Sequence, residues 1–150
     1  MSRYTEAPQE ALEIMEKLFE DNTFADLAGC NIKTLSDTKK NKSKGDYVIA
    51  NIKKTNAKEK YLSSDDFYPE GYDFLLFIDG NVFENISYED KFRVMRETLR
   101  KIEFDPEAKE PYKLRDFDLH LFSEDLKIEG DEIYYYKERL QQIAQSVYEE

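Results

Sequence analysis

Few side chains of this 150-residue chain are suited to catalysis or metal binding. His120 is the only histidine and Cys30 the only cysteine, and one cysteine forms neither an internal disulfide nor a cysteine-rich zinc site. Leu119 and Leu121 flank His120, which favours a partly buried packing role over metal ligation. Cys30 lies in a predicted strand and is expected in the core. The five glycines form no phosphate-binding loop, and the chain has no Gly-x-Ser-x-Gly motif.

Three acidic clusters have the oxygen ligands that a hard cation such as Ca²⁺ requires. They lie at Ser63–Asp66, Ser123–Asp125 and Glu129–Glu132. None has the ordered ligand spacing of an EF-hand loop. Solvation of loops is therefore the better interpretation of all three.

Apolar periodicity predicts three helices that would position any site. Pro8 and a following apolar stripe predict a helix over residues 7–21. Ser87 is a predicted N-cap, and apolar residues at alternating spacings of four and three then predict a helix over 88–103. Asp131 is expected to cap a C-terminal helix in which Tyr136 is buried and Tyr135 exposed. The stripe of that last helix consists of Ile133, Tyr136, Leu140, Ile143 and Val147.

The remaining apolar segments predict a small sheet. Residues 30–35 and 47–52 are predicted strands, joined as a hairpin by the lysine-rich turn Asp37–Gly45. The apolar run 74–78 predicts a central strand covered on both faces. Residues 112–115 are expected to be extended, and 117–126 could form a short helix. The predicted fold class is α+β, with a mixed or antiparallel sheet and one domain over residues 1–150.

Charge is distributed unevenly along the chain. The total is −11, but between Lys33 and Lys60 nine lysines face three acids, a net charge of +6 that leaves −17 elsewhere. Such an acidic body repels nucleic acid and attracts basic surfaces, including proteins that bind nucleic acid. Improved solubility is the alternative explanation. The lysine-rich tip Lys39–Lys44 could contact nucleic acid or an anionic surface, but it has no interleaved aromatics, so a solvated turn is favoured.

No apolar run approaches the roughly 20 residues that span a bilayer. The first residues also lack the apolar region of a signal peptide. The expected location is the cytoplasm, without membrane contact.

Three stretches, in their order and spacing, resemble the phage metallopeptidase family, whose members have a zincin-like arrangement. They are the apolar strand Tyr72–Ile78, the helical segment Glu89–Arg100 and the later segment Tyr112–Phe122. The likeness extends over roughly residues 27 to 130. It implies a zincin-like fold and a protein encoded by a phage or mobile element, in the cytoplasm of a bacterial host.

The departures from the family pattern fall on its metal ligands. The helical segment lies where the family has His-Glu-x-x-His, in which two histidines hold Zn²⁺ and the glutamate deprotonates a metal-bound water. Arg96 and Arg100 stand at the two histidine positions, while Glu97 keeps the position of the general base. At the family's later His-Asp pair, Phe117 replaces the histidine and Asp118 is retained. Neither a guanidinium, which only donates hydrogen bonds, nor a phenyl ring ligates a cation.

These positions are therefore expected to take part in ion pairs. Arg93 and Lys101 lie four residues before and after Glu97, which predicts a surface pair with one of them. We also expect Arg96 and Arg100 to pair with Glu97 or Asp118, replacing the metal site by an ion-pair staple.

Resemblance and departures together predict a non-catalytic protein without metal or cofactor. The expected function is an accessory protein that binds and inhibits a host protein, such as a defence or replication factor, by occupying its basic, nucleic-acid-binding groove. No direct contact with nucleic acid is expected. The alternative is a metallopeptidase with an improvised zinc site made of Glu97, His120 and Asp118.

Overall fold

The computed structural model describes residues 3–20, 22–43, 45–65, 68–115 and 132–149. Within these ranges the chain forms eight strands, five α-helices and one 3₁₀ helix. The strands are β1 (Tyr4–Glu6), β2 (Ile32–Asp37), β3 (Lys42–Ser43), β4 (Asp46–Tyr47), β5 (Ala50–Lys54), β6 (Phe74–Asp79), β7 (Ile102–Phe104) and β8 (Tyr112–Leu114). The helices are α1 (Gln9–Glu20), the 3₁₀ helix (Asn22–Leu27), α2 (Ala57–Leu62), α3 (Gly80–Phe83), α4 (Tyr88–Leu99) and α5 (Glu132–Tyr148).

The main sheet has four strands in the order β1-β2-β6-β5. β2 and β6 are parallel, whereas β1 pairs antiparallel with β2 and β5 antiparallel with β6. β3 with β4 and β7 with β8 form two separate antiparallel pairs. The predicted α+β class with a mixed sheet is therefore confirmed, and β6 takes its predicted interior position.

The predicted hairpin between residues 30–35 and 47–52 is wrong. Strands do occur close to both segments, at β2 and β5, but β6 lies between them and pairs with each. A continuous apolar strand such as β6 is stabilised most by a neighbour on each side, which outweighs the short connection between β2 and β5. The only local hairpin there among the described residues is the two-residue pairing of β3 with β4.

The core lies on one face of β6. Phe74, Leu76 and Ile78 are fully buried, together with Met95 of α4 and Ile14 of α1. Leu75 and Phe77 on the other face are only half-buried, so that face is covered less completely than the prediction of a strand covered on both faces implies. The strand instead has the inward and outward alternation of a sheet covered mainly on one side.

The three principal helices are present with small changes of boundary. α1 and α5 fall within the predicted segments, but α4 ends at Leu99 instead of residue 103. Ile102 fits the helical spacing, yet it is the first residue of strand β7 and is buried there. Tyr136 is buried and Tyr135 exposed, as predicted. The helix predicted within 117–126 lies outside the described residues.

Sequence periodicity did not reveal several short elements, among them β1, the 3₁₀ helix, α2 and α3. Cys30 is buried as predicted, but it precedes β2 and is not part of it. Burial raises the pKa of its thiol to about 12, so the thiol stays protonated and unreactive at neutral pH. In the part of the chain that the structure describes, no helix is both long and apolar enough to cross a membrane.

Candidate functional site

Helix α4 carries Arg96 and Glu97 and is capped by Arg100, the three residues that the resemblance matches to the helical motif of the family. Its start is fixed by Ser87, whose hydroxyl accepts a hydrogen bond from the Asp90 backbone N–H at 3.2 Å. Glu89 and Asp90 in the first turn complement the positive end of the helix dipole. Val94, Met95 and Leu99 then bury one face of the helix in the core.

Arg96 and Arg100 are buried although arginine is among the residues least often found inside a protein. Only 9% of Arg96 and 7% of Arg100 is exposed to solvent. The Arg100 guanidinium lies over the ring of Phe24 in the 3₁₀ helix, 5.6 Å from its centroid, a cation–π contact. The Arg100 carbonyl accepts a hydrogen bond from Nε of Arg115 at 2.8 Å. Both arginines are thus integrated into the packed interior between α4 and its neighbours.

Glu97 is held by helix α5. Nζ of Lys137 donates to its Oε1 at 2.8 Å, and the hydroxyl of Tyr136 approaches its Oε2 at 3.4 Å. The predicted surface pair with Arg93 or Lys101 is therefore wrong. The partner comes from a helix 40 residues later in the chain, which local spacing along α4 cannot reveal.

Asp90 is the centre of a charge network between α4 and α5, and only 2% of this residue is exposed. Arg139 of α5 binds it through two hydrogen bonds, of 3.0 and 2.8 Å, and Arg93 donates a third at 2.7 Å. Arg139 also pairs with Glu132 at 2.8 Å. Burial alone would raise the pKa of Asp90, but the hydrogen bonds from Arg139 and Arg93 outweigh it and lower that pKa below its ordinary value.

A pair of carboxylates lies at the C-terminal ends of the parallel strands β2 and β6. Asp37 and Asp79 are register partners there, and both are buried. Arg3 binds Asp37 through two hydrogen bonds of 3.0 Å. Asp79 caps α3 and accepts a 2.6 Å hydrogen bond from the hydroxyl of Tyr148. The sequence shows an aspartate at the end of each strand, but it does not show that the two strands are neighbours in the sheet.

The carboxylates of this pair hold the fold together. Asp79 connects the end of β6 to the last residue of α5, and Asp37 fixes the edge strand region through Arg3. Burial raises the pKa of Asp79, whereas the hydrogen bond from Arg3 lowers the pKa of Asp37. Each carboxylate has partners within the chain, so the pair explains how α5 is anchored at its C-terminal end.

A comparison with protein-family models identifies the relatives of this chain. The model described as "Putative phage metallopeptidase" matches residues 2–148. The chain belongs to this family. Searches of curated proteins and of solved structures found no match. The match extends the resemblance seen in three stretches of the sequence to nearly the whole chain.

Members of a metallopeptidase family are expected to hold a zinc ion, but the described residues of α4 do not fit one. The two side chains one helical turn apart are guanidinium groups, which donate hydrogen bonds and repel a cation. The Glu97 carboxylate could ligate a metal through oxygen, but it is bound to the ammonium group of Lys137. Among all residues that the structure describes, no three histidine, cysteine, aspartate or glutamate side chains are grouped closely enough to hold a metal.

The remaining residues assigned from the family pattern are Phe117, Asp118 and His120. All three lie outside the described residues, so the predicted pairing of Asp118 with Arg96 or Arg100 stays a prediction. Arg96 and Glu97 lie on α4 and Arg100 at its C-cap, but Glu97 pairs with Lys137 and with neither arginine. The predicted ion-pair staple between these arginines and Glu97 is therefore wrong. Lys137 and Tyr136 of α5 also belong to this site, because both donate hydrogen bonds to Glu97.

Proposed function

We propose that this member of the phage metallopeptidase family acts by binding and inhibiting a host protein, without hydrolysing peptide bonds. One observation supports the proposal: the two arginines that the resemblance matches to the motif's zinc ligands are buried, and Glu97 is bound to Lys137. A carboxylate in an ion pair, with no metal-bound water to deprotonate, does not serve as the general base of this reaction class. What the scaffold offers instead is its surface.

The outer face of α1 supplies an acidic surface for such binding. Glu13, Glu16 and Glu20 are all exposed there. Their spacing of three and four residues places them on one side of the helix, separated along its axis by about 4.5 and 6 Å. We call these three residues the acidic stripe. A row of fixed carboxylates on a rigid helix complements a row of lysine or arginine side chains on a partner.

Two exposed apolar side chains flank the acidic stripe. Leu12 of α1 lies on one side of the stripe. Tyr88 of α4 lies on the other side, where Lys17 connects it to α1. Nζ of Lys17 donates to the Tyr88 hydroxyl at 2.9 Å and lies over the same ring, 5.3 Å from its centroid. Tyrosine is enriched among the residues that dominate binding energy. Tyr88 is therefore a candidate anchor beside the charged row.

The partner that fits this surface is a protein with a cationic groove. Nucleic-acid-binding proteins have such grooves, because they neutralise phosphates with lysine and arginine. A bound acidic protein would occupy the groove and exclude the nucleic acid. Binding of this kind is strengthened by low salt and weakened as salt screens the charges.

Charge reversal of the acidic stripe tests the proposal. We expect Glu13→Lys/Glu16→Lys/Glu20→Lys to weaken partner binding by about 100-fold, because three attractive charge contacts become repulsive. The matched control is Glu70→Lys/Glu107→Lys/Glu138→Lys, which changes the net charge equally at exposed sites on other elements. Host proteins eluted from DNA-cellulose are passed over the immobilised protein, and each captured protein is purified for gel-shift competition.

The expected result is displacement of DNA from a captured protein by wild-type and control protein, but not by the stripe variant. Failure of the wild-type protein to displace DNA from any captured protein would contradict the proposal. An equal loss in both triple variants would also contradict it, since net charge alone would then explain the effect.

A further inference from the structure

A cleft lined by three lysines is not used by the proposed function. It has a volume of about 340 Å³ and lies between the end of β5, the start of α2 and the loop that precedes β8. The volume is within the range of small-ligand sites. The cleft adjoins the only long segment with positive net charge, Lys33 to Lys60.

One wall of the cleft is apolar and held in place. Pro111 and Tyr112 form it, and Ala57 faces the cleft from α2. The Tyr112 hydroxyl donates to the Asp26 carbonyl at 3.2 Å, and its ring packs on Phe104 with centroids 5.1 Å apart. A ring fixed at both its edge and its face is a preorganised surface for an apolar group.

Lysine side chains surround this wall. Lys54, Lys60 and Lys109 all line the cleft. Lys60 pairs with Asp73 at 3.0 Å, and Asp73 in turn accepts a hydrogen bond from the Asn31 backbone N–H at 2.9 Å. The Lys60 pair is thus tied to the sheet and forms part of the fold.

The pair between Lys54 and Glu110 is of a different kind. Nζ of Lys54 donates to Oε2 of Glu110 at 2.9 Å, but the Glu110 side chain is 78% exposed. An ion pair this open to water contributes little to stability. A carboxylate from a ligand can therefore replace that of Glu110 at small cost, and Glu110 marks where it would lie.

We propose that this cleft binds an amphipathic carboxylate, with its apolar body on Tyr112 and Pro111 and its carboxylate on Lys54 in place of Glu110. Such a group occurs on a free organic acid and at the C-terminus of a peptide that ends in an apolar residue. The inference is independent of the acidic stripe, because it concerns another face and an anionic ligand.

Two probes with matched neutral partners test the proposal on the full-length protein. They are 4-phenylbutyrate against its amide, and N-acetyl-Gly-Gly-Phe against its C-terminal amide, titrated while backbone NMR shifts are recorded. We expect the acids to shift Tyr112 and Lys54 resonances and the amides to bind about tenfold more weakly, since they lose the charged contact with Lys54. Binding of both acids supports the shared chemistry, and binding of only one identifies its source.

Three variants assign the effect to the cleft. Lys54→Met is expected to weaken binding of the acids about tenfold, and Glu110→Gln to strengthen it severalfold by removing the competing carboxylate. Lys58→Met is the control, because Lys58 is exposed on α2 and does not line the cleft. The proposal is overturned if neither acid shifts the cleft resonances, if acids and amides bind equally, or if Lys58→Met weakens binding as much as Lys54→Met does.

Discussion

Replacing Asp90 with alanine is expected to lower the free energy of unfolding by about 3–5 kcal/mol, the range for breaking a buried ion pair from one side. The substitution removes the carboxylate that accepts three hydrogen bonds from Arg139 and Arg93. The Arg93 guanidinium then loses the Asp90 carboxylate although the Arg93 side chain is only 15% exposed. The substitution also removes the bond between Arg139 of α5 and helix α4. Urea unfolding followed by circular dichroism measures the loss.

Glu110→Ala is the control for the Asp90 substitution. It also removes a carboxylate from an ion pair, but from an exposed one, so we expect a loss below about 1 kcal/mol. Similar losses in the two variants would contradict the view that the α4–α5 network is buried and structural.

The same network predicts how stability depends on pH. Because the pKa of Asp90 is lower in the folded protein, its stabilisation is fully present above the unfolded value of about 3.9 and is lost as pH falls through the folded value. The wild-type protein should therefore lose more stability than Asp90→Ala when the pH is lowered from about 5 to below about 3. Parallel pH profiles for the two proteins would contradict this assignment.

Gly71→Ala is expected to destabilise the fold by at least about 3 kcal/mol, because it combines a strained backbone with a steric clash. Gly71 has a φ of +89°, and a Cβ at this position would lie 1.7 Å from the Lys60 carbonyl oxygen. The close contact joins the end of α2 to the turn before β6. Relief of the clash would require α2 to move.

Gly45→Ala separates the two contributions. Gly45 has the same φ of +89°, but apart from its chain neighbours no atom of the described residues lies within 4 Å of a Cβ built there. Its substitution should cost only the left-handed backbone strain, about 1–2 kcal/mol. Both variants are compared by thermal and urea unfolding. Equal losses of stability would show that the clash with the Lys60 carbonyl adds nothing to the backbone strain.

The long periodic elements of this fold could be predicted from the sequence because each buries a continuous stripe. α4 and α5 were found from the spacing of their apolar residues, and β6 from its apolar run. The order of strands could not be predicted, since β6 pairs with both β2 and β5 across connections that leave no local pattern. The end of α4 could not be predicted for a related reason. Ile102 satisfies the helical spacing, but it lies in strand β7 and is buried there.

The residues of the candidate site come from the resemblance to the family, and their contacts could not be predicted from the sequence. Arg96, Glu97 and Arg100 were identified by their place in the family pattern, and α4 carries them on one helix. The partner of Glu97 is Lys137, which only the docking of α5 brings within 2.8 Å. Asp90 lies in the first turn of α4, where an acid is common, yet its burial and its bonds to Arg139 give it a larger structural role. Such long-range pairs depend on tertiary packing, which local spacing does not encode.

The most direct test of the account is the zinc content of protein purified without chelator and without a histidine tag. If Arg96 and Arg100 stand at the two helix positions of the metal motif, as we propose, the zinc content should be far below one ion per chain. Adding zinc or chelator should then leave the thermal stability unchanged. About one zinc ion per chain, lost on chelation together with stability, would contradict it. That result would instead support a metallopeptidase with an improvised site that includes Glu97, Asp118 and His120.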